Sequence, residues 1–499
     1  MLRSALFRRG IWLGLAALFV SAVSALRAEV RCARLFTDHM VLQADRSVPV
    51  WGTATPGEKV AVEFAGQSRE TVAATDGAWR VTLEPLTATA TPRALTVRGA
   101  NTLTFSDVLV GEVWFASGQS NMEKPLGERK GQKPTTGYDL EIAAANYPLL
   151  RLFQIPRTDL KQDGPGVFRW LPCSPEALRA SNFSAAAYHF GRQVQPALGV
   201  PVGIIHASFG GTRIEAWLPP EAFADPQLAG LEKERYAAWV PGVQPTELFT
   251  SMVRPYAPYA VRGFLWYQGE TNCMVPDSDR YAPKLTTLIA HWRRVWENPD
   301  APFYGVLLAP FDYSQWEKFA TTDLALPRFW QSQIEGLSAP HTGYAVVSDG
   351  VDDLHDIHPV NKRVVGDRLA RLALHDTYGR TDIAARGPRL ASWKIDGAAL
   401  VLTYAHADGL HTRDNLPPTD FTLAGADRVF HPASATIKDH TITLTSPQVP
   451  TPVAARFAWH ETARPNLVNR ASLPAVPFRT DDWPVKIDRP VMKPLEMRP

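Results

Sequence analysis

Four short stretches of this 499-residue chain carry side chains suited to acyl-transfer chemistry. The first runs from Gly111 to Met122 and reads GEVWFASGQSNM. Val113, Trp114, Phe115 and Ala116 form an apolar run that reads as a buried strand. Ser117 and Gly118 break that run shortly before Ser120. A serine lifted off the end of a buried strand by a glycine turn stands where a hydrolase puts a nucleophile. The plainer reading, a serine capping the next helix, uses the same residue. The second stretch, Phe209-Gly210-Gly211-Thr212, follows the apolar run VGIIHAS. Its two glycines let the backbone come close to a substrate, with amides free to point at an oxyanion. The third, Gln268-Gly269-Glu270-Thr271-Asn272, follows GFLWY. Gln268 and Asn272 offer side-chain amides to the same region, although asparagine is also an ordinary turn residue.

The fourth stretch is the densest, Asp352-Asp353-Leu354-His355-Asp356-Ile357-His358-Pro359. Two chemistries compete for it. Metal binding would use the crowded His and Asp side chains, but no further His or Cys cluster in the sequence stands ready to complete a ligand set. A hydrolytic histidine needs only one carboxylate to orient it. A helix is expected after His358, with Pro359 near its first turn and Val364, Val365, Leu369 and Leu372 along it. In an extended loop, residues two apart point the same way, so Asp356 is expected to orient the His358 ring. Asp353 would reach the ring only if the loop curled. A histidine acting as base here is expected to titrate near its reference value of ~6.5. No metal and no organic cofactor is required.

The elements that must position these stretches follow from periodicity. Between Val30 and Ser106 the runs MVLQ, VPVWGTA, KVAVEFAG, AWRVTLEPL and ALTVRG are short strands separated by turns, which argues for a small β-sandwich over residues 29–106. Over residues 107–380, strands at VWFAS, VGIIHAS, GFLWYQG, PFYGVLLAP and YAVVSDG alternate with helical stretches such as AAAYHFGRQVQPAL and YAPKLTTLIAHWRRVW. That alternation implies an α/β domain, a parallel sheet with helices on both faces. Ligands of such sheets bind beyond the carboxyl ends of the strands, where the polar stretches fall. From residue 381 to 499 the chain returns to short strands, a second β-sandwich-like module. Its irregular Pro-rich part, from HETARPNL onward, is expected to pack back on the central domain or cover part of the cleft.

Length and composition bound the rest. A chain of 499 residues exceeds one hydrophobic core, so roughly two to four domains are expected. A formal charge of +2 and the lack of a long basic run argue against a nucleic-acid partner. Arg3, Arg8 and Arg9 precede an apolar stretch from Ile11 to about Leu26, then Ala25 and Ala28, the order of a secretory signal over residues 1–28. The run falls short of the ~20 apolar residues of a membrane span, so a secreted or periplasmic protein with no stable membrane insertion is expected. Cys32, Cys173 and Cys273 would allow one disulfide, of unspecified pairing. Nothing in the sequence fixes an oligomeric state.

With these residues in view, the chain resembles the sialate O-acetylesterase family of carbohydrate esterases, within the wider SGNH hydrolase fold. SGQSNM, GGTRIEAW, FLWYQGETN and DIHPVNKRVVGDRLA match that family's blocks, in its order, and the likeness covers the whole mature chain. The resemblance implies an SGNH-type sheet flanked by β modules and an O-acetylated carbohydrate as substrate. It also implies Ser120 as nucleophile, His358 as base and acid, and backbone amides of Ser120 and Gly211 as oxyanion donors. A side-chain amide from the third block, Gln268 or Asn272, would complete the oxyanion hole. The chain departs from the wider fold at the position three before His358, where His355 replaces the usual acid. Asp356 and Asp353 are the alternatives for the third triad member.

Overall fold

In a computed structural model of the chain, which describes residues 29–156, 168–231, 243–275, 277–316 and 321–488, one strand joins two kinds of sheet. This strand, β1 (Thr102–Gly118), alternates exposed and half-buried residues as far as Asp107 and is buried without interruption from Val108 onward. Alternation suits a sheet with one wet face, and continuous burial suits a sheet covered on both. The first half of β1 pairs antiparallel with Thr89–Arg98, and the second half lies between parallel neighbours. The boundary expected after residue 106 therefore falls inside a continuous strand.

Ahead of β1, Arg31–Cys32, Val48–Thr53 and Ala78–Leu83 form a three-stranded antiparallel sheet. Lys59–Phe64, Gln67–Val72 and Thr89–Arg98 form a second antiparallel layer continuous with β1. The burial of Val60, Val62 and Phe64 on one strand, and of Trp79, Val81 and Leu83 on another, follows the strand period of two.

Beyond β1 come β2 (Tyr147–Gln154), β3 (Trp170–Cys173), β4 (Val202–Ser208), β5 (Gly263–Tyr267), β6 (Phe303–Val306) and β7 (Thr342–Ala345), in the sheet order β3-β2-β4-β1-β5-β6-β7. Neighbours run parallel except β3, which is antiparallel to β2. The sequence reading locates β1 and β4 to β7 but omits β2 and β3, where YPLLRLFQ and WLPC mix apolar residues with proline and arginine. The helices that matter to the site are α1 (Ser120–Glu123), α2 (Ala185–Leu198), α3 (Tyr281–Val295), α4 (Ala325–Gly336) and α5 (Lys362–Leu372). Adjacent strand residues face opposite sides. Trp114 meets Phe190 of α2 with ring centroids 5.2 Å apart, and Phe115 meets Trp292 of α3 at 5.7 Å. Helices thus cover both faces of the sheet, as the alternation implies.

After α5 the chain forms two four-stranded antiparallel sheets and a two-stranded one. The irregular stretch packs back on the central domain as expected. Glu461 accepts from the Ser314 N–H at 3.0 Å, and Arg464 donates to the Val351 carbonyl at 3.4 Å. Cys32, Cys173 and Cys273 are all free, so the disulfide the sequence would allow does not form. The segment expected to be a signal, residues 1–28, lies outside the described residues. Among the described residues no helix is long and apolar enough to cross a membrane.

Candidate active site

Ser120 opens α1, directly beyond the end of β1. The turn that presents it depends on Gly118, which has φ +144° and would place a Cβ 2.1 Å from the Tyr267 carbonyl oxygen. Glycine alone has both the freedom and the room. Gly269 repeats that conformation at the end of the neighbouring strand β5. Gln119 stitches the two ends together. Its N–H donates to the Tyr267 carbonyl at 2.9 Å, and its Oε1 accepts from the Gly269 N–H at 3.3 Å. The Phe209 N–H donates to the Gly118 carbonyl at 3.1 Å, which brings the glycine pair of the second stretch to the same place.

Ser120 is half-buried, and neither its hydroxyl nor its N–H has a hydrogen-bond partner among the described residues. The same holds for the N–H of Gly211, a residue with φ +76°. Gly210 differs, because its N–H donates to Glu123 Oε2 at 3.1 Å. Two amides of this turn region are therefore open and a third is used by the protein.

His358 lies in the loop before α5 with its side chain 23% exposed. The link to Ser120 is Asn121, whose Nδ2 donates to the Ile357 carbonyl at 3.0 Å. One side chain thus joins the residue after the serine to the residue before the histidine.

The loop is not extended as the sequence suggested. Asp353 Oδ1 accepts from the His355 N–H at 2.9 Å, Asp356 Oδ1 accepts from the His358 N–H at 2.9 Å, and the Asp356 N–H donates to the Asp353 carbonyl at 3.3 Å. Each aspartate captures the amide two residues on, which folds the chain into successive turns. Asp356 nevertheless reaches the ring, with Oδ1 3.9 Å from His358 Nδ1. That is an ion-pair distance and too long for a hydrogen bond. Asp353 is drawn outward to Lys133 Nζ at 2.9 Å, and His355 faces Asp312 at 3.7 Å. The helix also starts later than expected. Asn361 caps it by accepting from the Val364 N–H at 3.3 Å, which leaves Pro359 in the loop.

The two side-chain amides of the third stretch are engaged elsewhere. Gln268 Nε2 donates to Gln119 Oε1 at 3.2 Å, the Thr212 carbonyl at 3.1 Å and Asn272 Oδ1 at 2.8 Å, while Gln268 Oε1 accepts from the Tyr281 hydroxyl at 2.7 Å. Asn272 Nδ2 donates to Glu215 at 3.1 Å and to Asp277 at 2.8 Å. Gln268 stays at the serine turn, whereas Asn272 is turned into a buried ionic cluster. Both amide nitrogens are thus held by acceptors of the protein. The Asn272 partners are gathered by Lys284, fully buried, whose Nζ reaches Glu215 at 2.6 Å and Asp277 at 2.7 Å. A buried cation demands such partners, and Asn272 satisfies their remaining oxygens. Burial alone would raise the Glu215 carboxyl, but Lys284 and Arg213 outweigh it and hold that group well below the usual range.

The sequence reading assigned no role to Asn121, Glu270, Lys362 or Lys284, all of them buried. A signal for the lysines existed. Lys362 shares the core-facing stripe of α5 with Val365, Leu369 and Leu372, and Lys284 shares that of α3 with Leu285, Leu288 and Trp292. A lysine on an apolar stripe must find a buried partner. Lys362 also bears on His358, whose ring is lowered to a pKa of about 4. Burial is the largest cause and the Lys362 cation the next, while Asp356 pulls the other way. The value near 6.5 expected from sequence is therefore corrected downward. Among the described residues no group of three or more His, Cys, Asp or Glu side chains is placed to hold a metal ion.

Residues 110–373 match the family model described as a carbohydrate esterase, sialic acid-specific acetylesterase. The chain is similar to the sialate O-acetylesterase of Pongo abelii, at 28% identity over 473 residues covering 86% of this chain and 87% of the relative. Its similarity to the sialate O-acetylesterase of Homo sapiens is 27% identity, with the same coverage of 86% and 87%. It is also similar to the crystal structure of a carbohydrate acetylesterase from Xanthomonas citri. That match has 34% identity and a TM-score of 0.81, covering 91% of this chain and 100% of the other.

Proposed function

The chain belongs to the sialic acid-specific acetylesterase family of carbohydrate esterases, and on that premise we propose that it removes O-acetyl groups from carbohydrates with Ser120 as nucleophile. The observation that carries the reading is the Asn121 bridge, which draws the serine turn and the histidine loop together at 3.0 Å. Neutral His358 takes the Ser120 hydroxyl proton as Oγ attacks the acetyl carbonyl. The tetrahedral oxyanion is held by the Ser120 and Gly211 N–H groups, the two open donors of the turn. Each such donor is worth ~3 kcal/mol in comparable sites. His358 returns the proton to the departing sugar oxygen, and water activated by the same ring hydrolyses the acetyl-enzyme. Asp356 balances the imidazolium charge at 3.9 Å. Gln268 serves as a clamp that holds the Thr212 carbonyl against Gln119, a different task from oxyanion donation.

In the same reading, residues 107–380 are the catalytic domain, flanked by β modules over 29–106 and 381–499. Residues 1–28 direct export to the periplasm or the extracellular space. O-acetylated sialate is the substrate, because sialate O-acetylesterases match this chain along most of its length. Acetate release from O-acetylated sialic acid, set beside acetylated xylan, tests this directly. Greater kcat/KM on the sialate is expected. Preference for xylan would move the enzyme to another glycan, and binding of either without acetate release would make it a glycan-binding protein instead.

The lowered His358 value gives a second test. A base whose folded pKa is depressed stays neutral to lower pH, so activity should persist until pH falls toward about 4. The acid limb of kcat/KM is therefore expected below the ordinary histidine value of ~6.5. A limb at or above that value would contradict the burial and charge assigned to this ring.

A further inference from the structure

Beneath Ser120 and His358 lie three buried polar side chains that the hydrolytic steps do not use. Lys362, Asn121 and Glu270 are 1%, 1% and 2% exposed. Lys362 Nζ donates to Asn121 Oδ1 at 2.5 Å. Asn121 Nδ2 donates to Glu270 Oε1 and to the Ile357 carbonyl. Lys362 lies 5.6 Å from the centre of the Tyr267 ring at the end of β5, and Glu270 follows Gly269 on that strand's turn. The three side chains therefore come from the serine turn, the turn after β5 and the start of α5.

We propose that Lys362, Asn121 and Glu270 form a buried positioning relay in which Asn121 sets the separation of Ser120 and His358, an inference that rests on reading those two as nucleophile and base. The chemistry of the donors decides the direction of the relay. An ammonium only donates, so Lys362 must face the Asn121 carbonyl oxygen. That choice turns the amide nitrogen toward Glu270 and the Ile357 carbonyl. Burial raises the Glu270 carboxyl, but the Asn121 hydrogen bond and the Lys362 charge favour its ionised form, which only accepts and so reinforces that choice. The two ends of one amide are thus held by a donor and an acceptor in a site closed to water, where neither has bulk solvent as an alternative partner. An amide that rotated would leave both unsatisfied.

Lys362 has a second consequence for the base. The charged groups acting on His358 are Lys362, Lys124 and Arg129, which oppose its protonation, and Asp356, which favours it. Burial lowers the Lys362 pKa to about 7, with Lys124 adding to the fall and Glu270, Asp356 and Asp352 opposing it, so the side chain is a cation across the acid range where His358 titrates. Removing the Lys362 cation takes away the largest of the opposing charges and so raises the His358 pKa.

The test uses the full chain with an activated acetyl ester and three variants, Lys362→Met, Asn121→Asp and Ser120→Ala. Asn121→Asp keeps an oxygen for Lys362 but replaces the donor that holds Ile357. Both relay variants are expected to lose about 10²-fold in kcat with KM little changed, the cost of misplacing groups by an ångström or so. In Lys362→Met the acid limb should also move upward by about one pH unit. A purely structural lysine would lower activity equally at every pH. An unmoved limb in a folded Lys362→Met therefore overturns the electrostatic part, and a kcat near wild type in Asn121→Asp overturns the relay. Should Lys362→Met fail to fold, Asn121→Asp alone decides, since it leaves the buried lysine paired. Ser120→Ala separates this inference from its premise. An active Ser120→Ala refutes the nucleophile itself, whereas an inactive one beside active relay variants refutes the relay alone.

Discussion

Replacing Ser120 by alanine is expected to lower kcat by ~10⁵-fold or more while leaving the protein folded. The chemical reason is that the other hydroxyl at the end of β1, Ser117, is fully buried, while Gly118 and Gln119 shape the turn that presents Ser120. Water attacking the same carbonyl would retain only the help of the oxyanion donors and of substrate binding. The structural reason concerns what the hydroxyl leaves behind. It has no hydrogen-bond partner among the described residues, so deleting it strands no buried donor or acceptor. Stability should change by no more than ~0.5 kcal/mol, the usual range for a substitution that breaks no packing or network. Two measurements check this together: acetate release and thermal unfolding of the same preparation. Near-normal turnover in a folded Ser120→Ala protein would remove the nucleophile from the mechanism. Loss of activity with loss of fold would instead make Ser120 a structural residue, at odds with its unbonded hydroxyl.

Asp356→Asn is expected to cost ~10²-fold or more in kcat, and Asp353→Asn less than about threefold. The two aspartates sit in the same short loop, so the contrast is a matter of where each carboxylate points. Asp356 reaches the His358 ring and accepts from the His358 backbone N–H. An asparagine there can still accept that N–H, so the turn survives while the charge opposite the ring is lost. Loss of a closely bonded, buried orienting aspartate costs ~10⁴-fold. The longer 3.9 Å contact and the 23% exposure of both side chains argue for a smaller effect here. Asp353 spends its carboxylate on exposed Lys133, and exposed pairs contribute at most ~1 kcal/mol. Steady-state kinetics of both variants on one ester decide the matter. A crippled Asp353→Asn beside a healthy Asp356→Asn would reverse the assignment, and indifference to both would leave a Ser120–His358 dyad.

The sequence by itself determined that the polar stretches gather at one edge of the sheet. The apolar runs VWFA, VGIIHAS and GFLWY are buried at every position, and such runs fit only a sheet covered on both faces. Parallel strands bring their carboxyl ends to one edge, so the polar stretch after each run had to meet the others. Helix boundaries followed equally well where a stripe was long, as at Ala185–Leu198. What the tertiary structure decided was which atoms face which. Gln268 and Asn272 are equivalent amides in the sequence, yet the latter is turned away by Glu215 and Asp277 around buried Lys284. Asp353 and Asp356 are separated by Lys133, which lies 220 residues before the former. Lys362 meets Asn121 across 241 residues, and with burial it helps move His358 far from its ordinary titration range. Strand burial is written as a local period that each residue repeats. A hydrogen-bond partner is a choice among groups that only the folded chain brings together, and burial makes that choice costly to change.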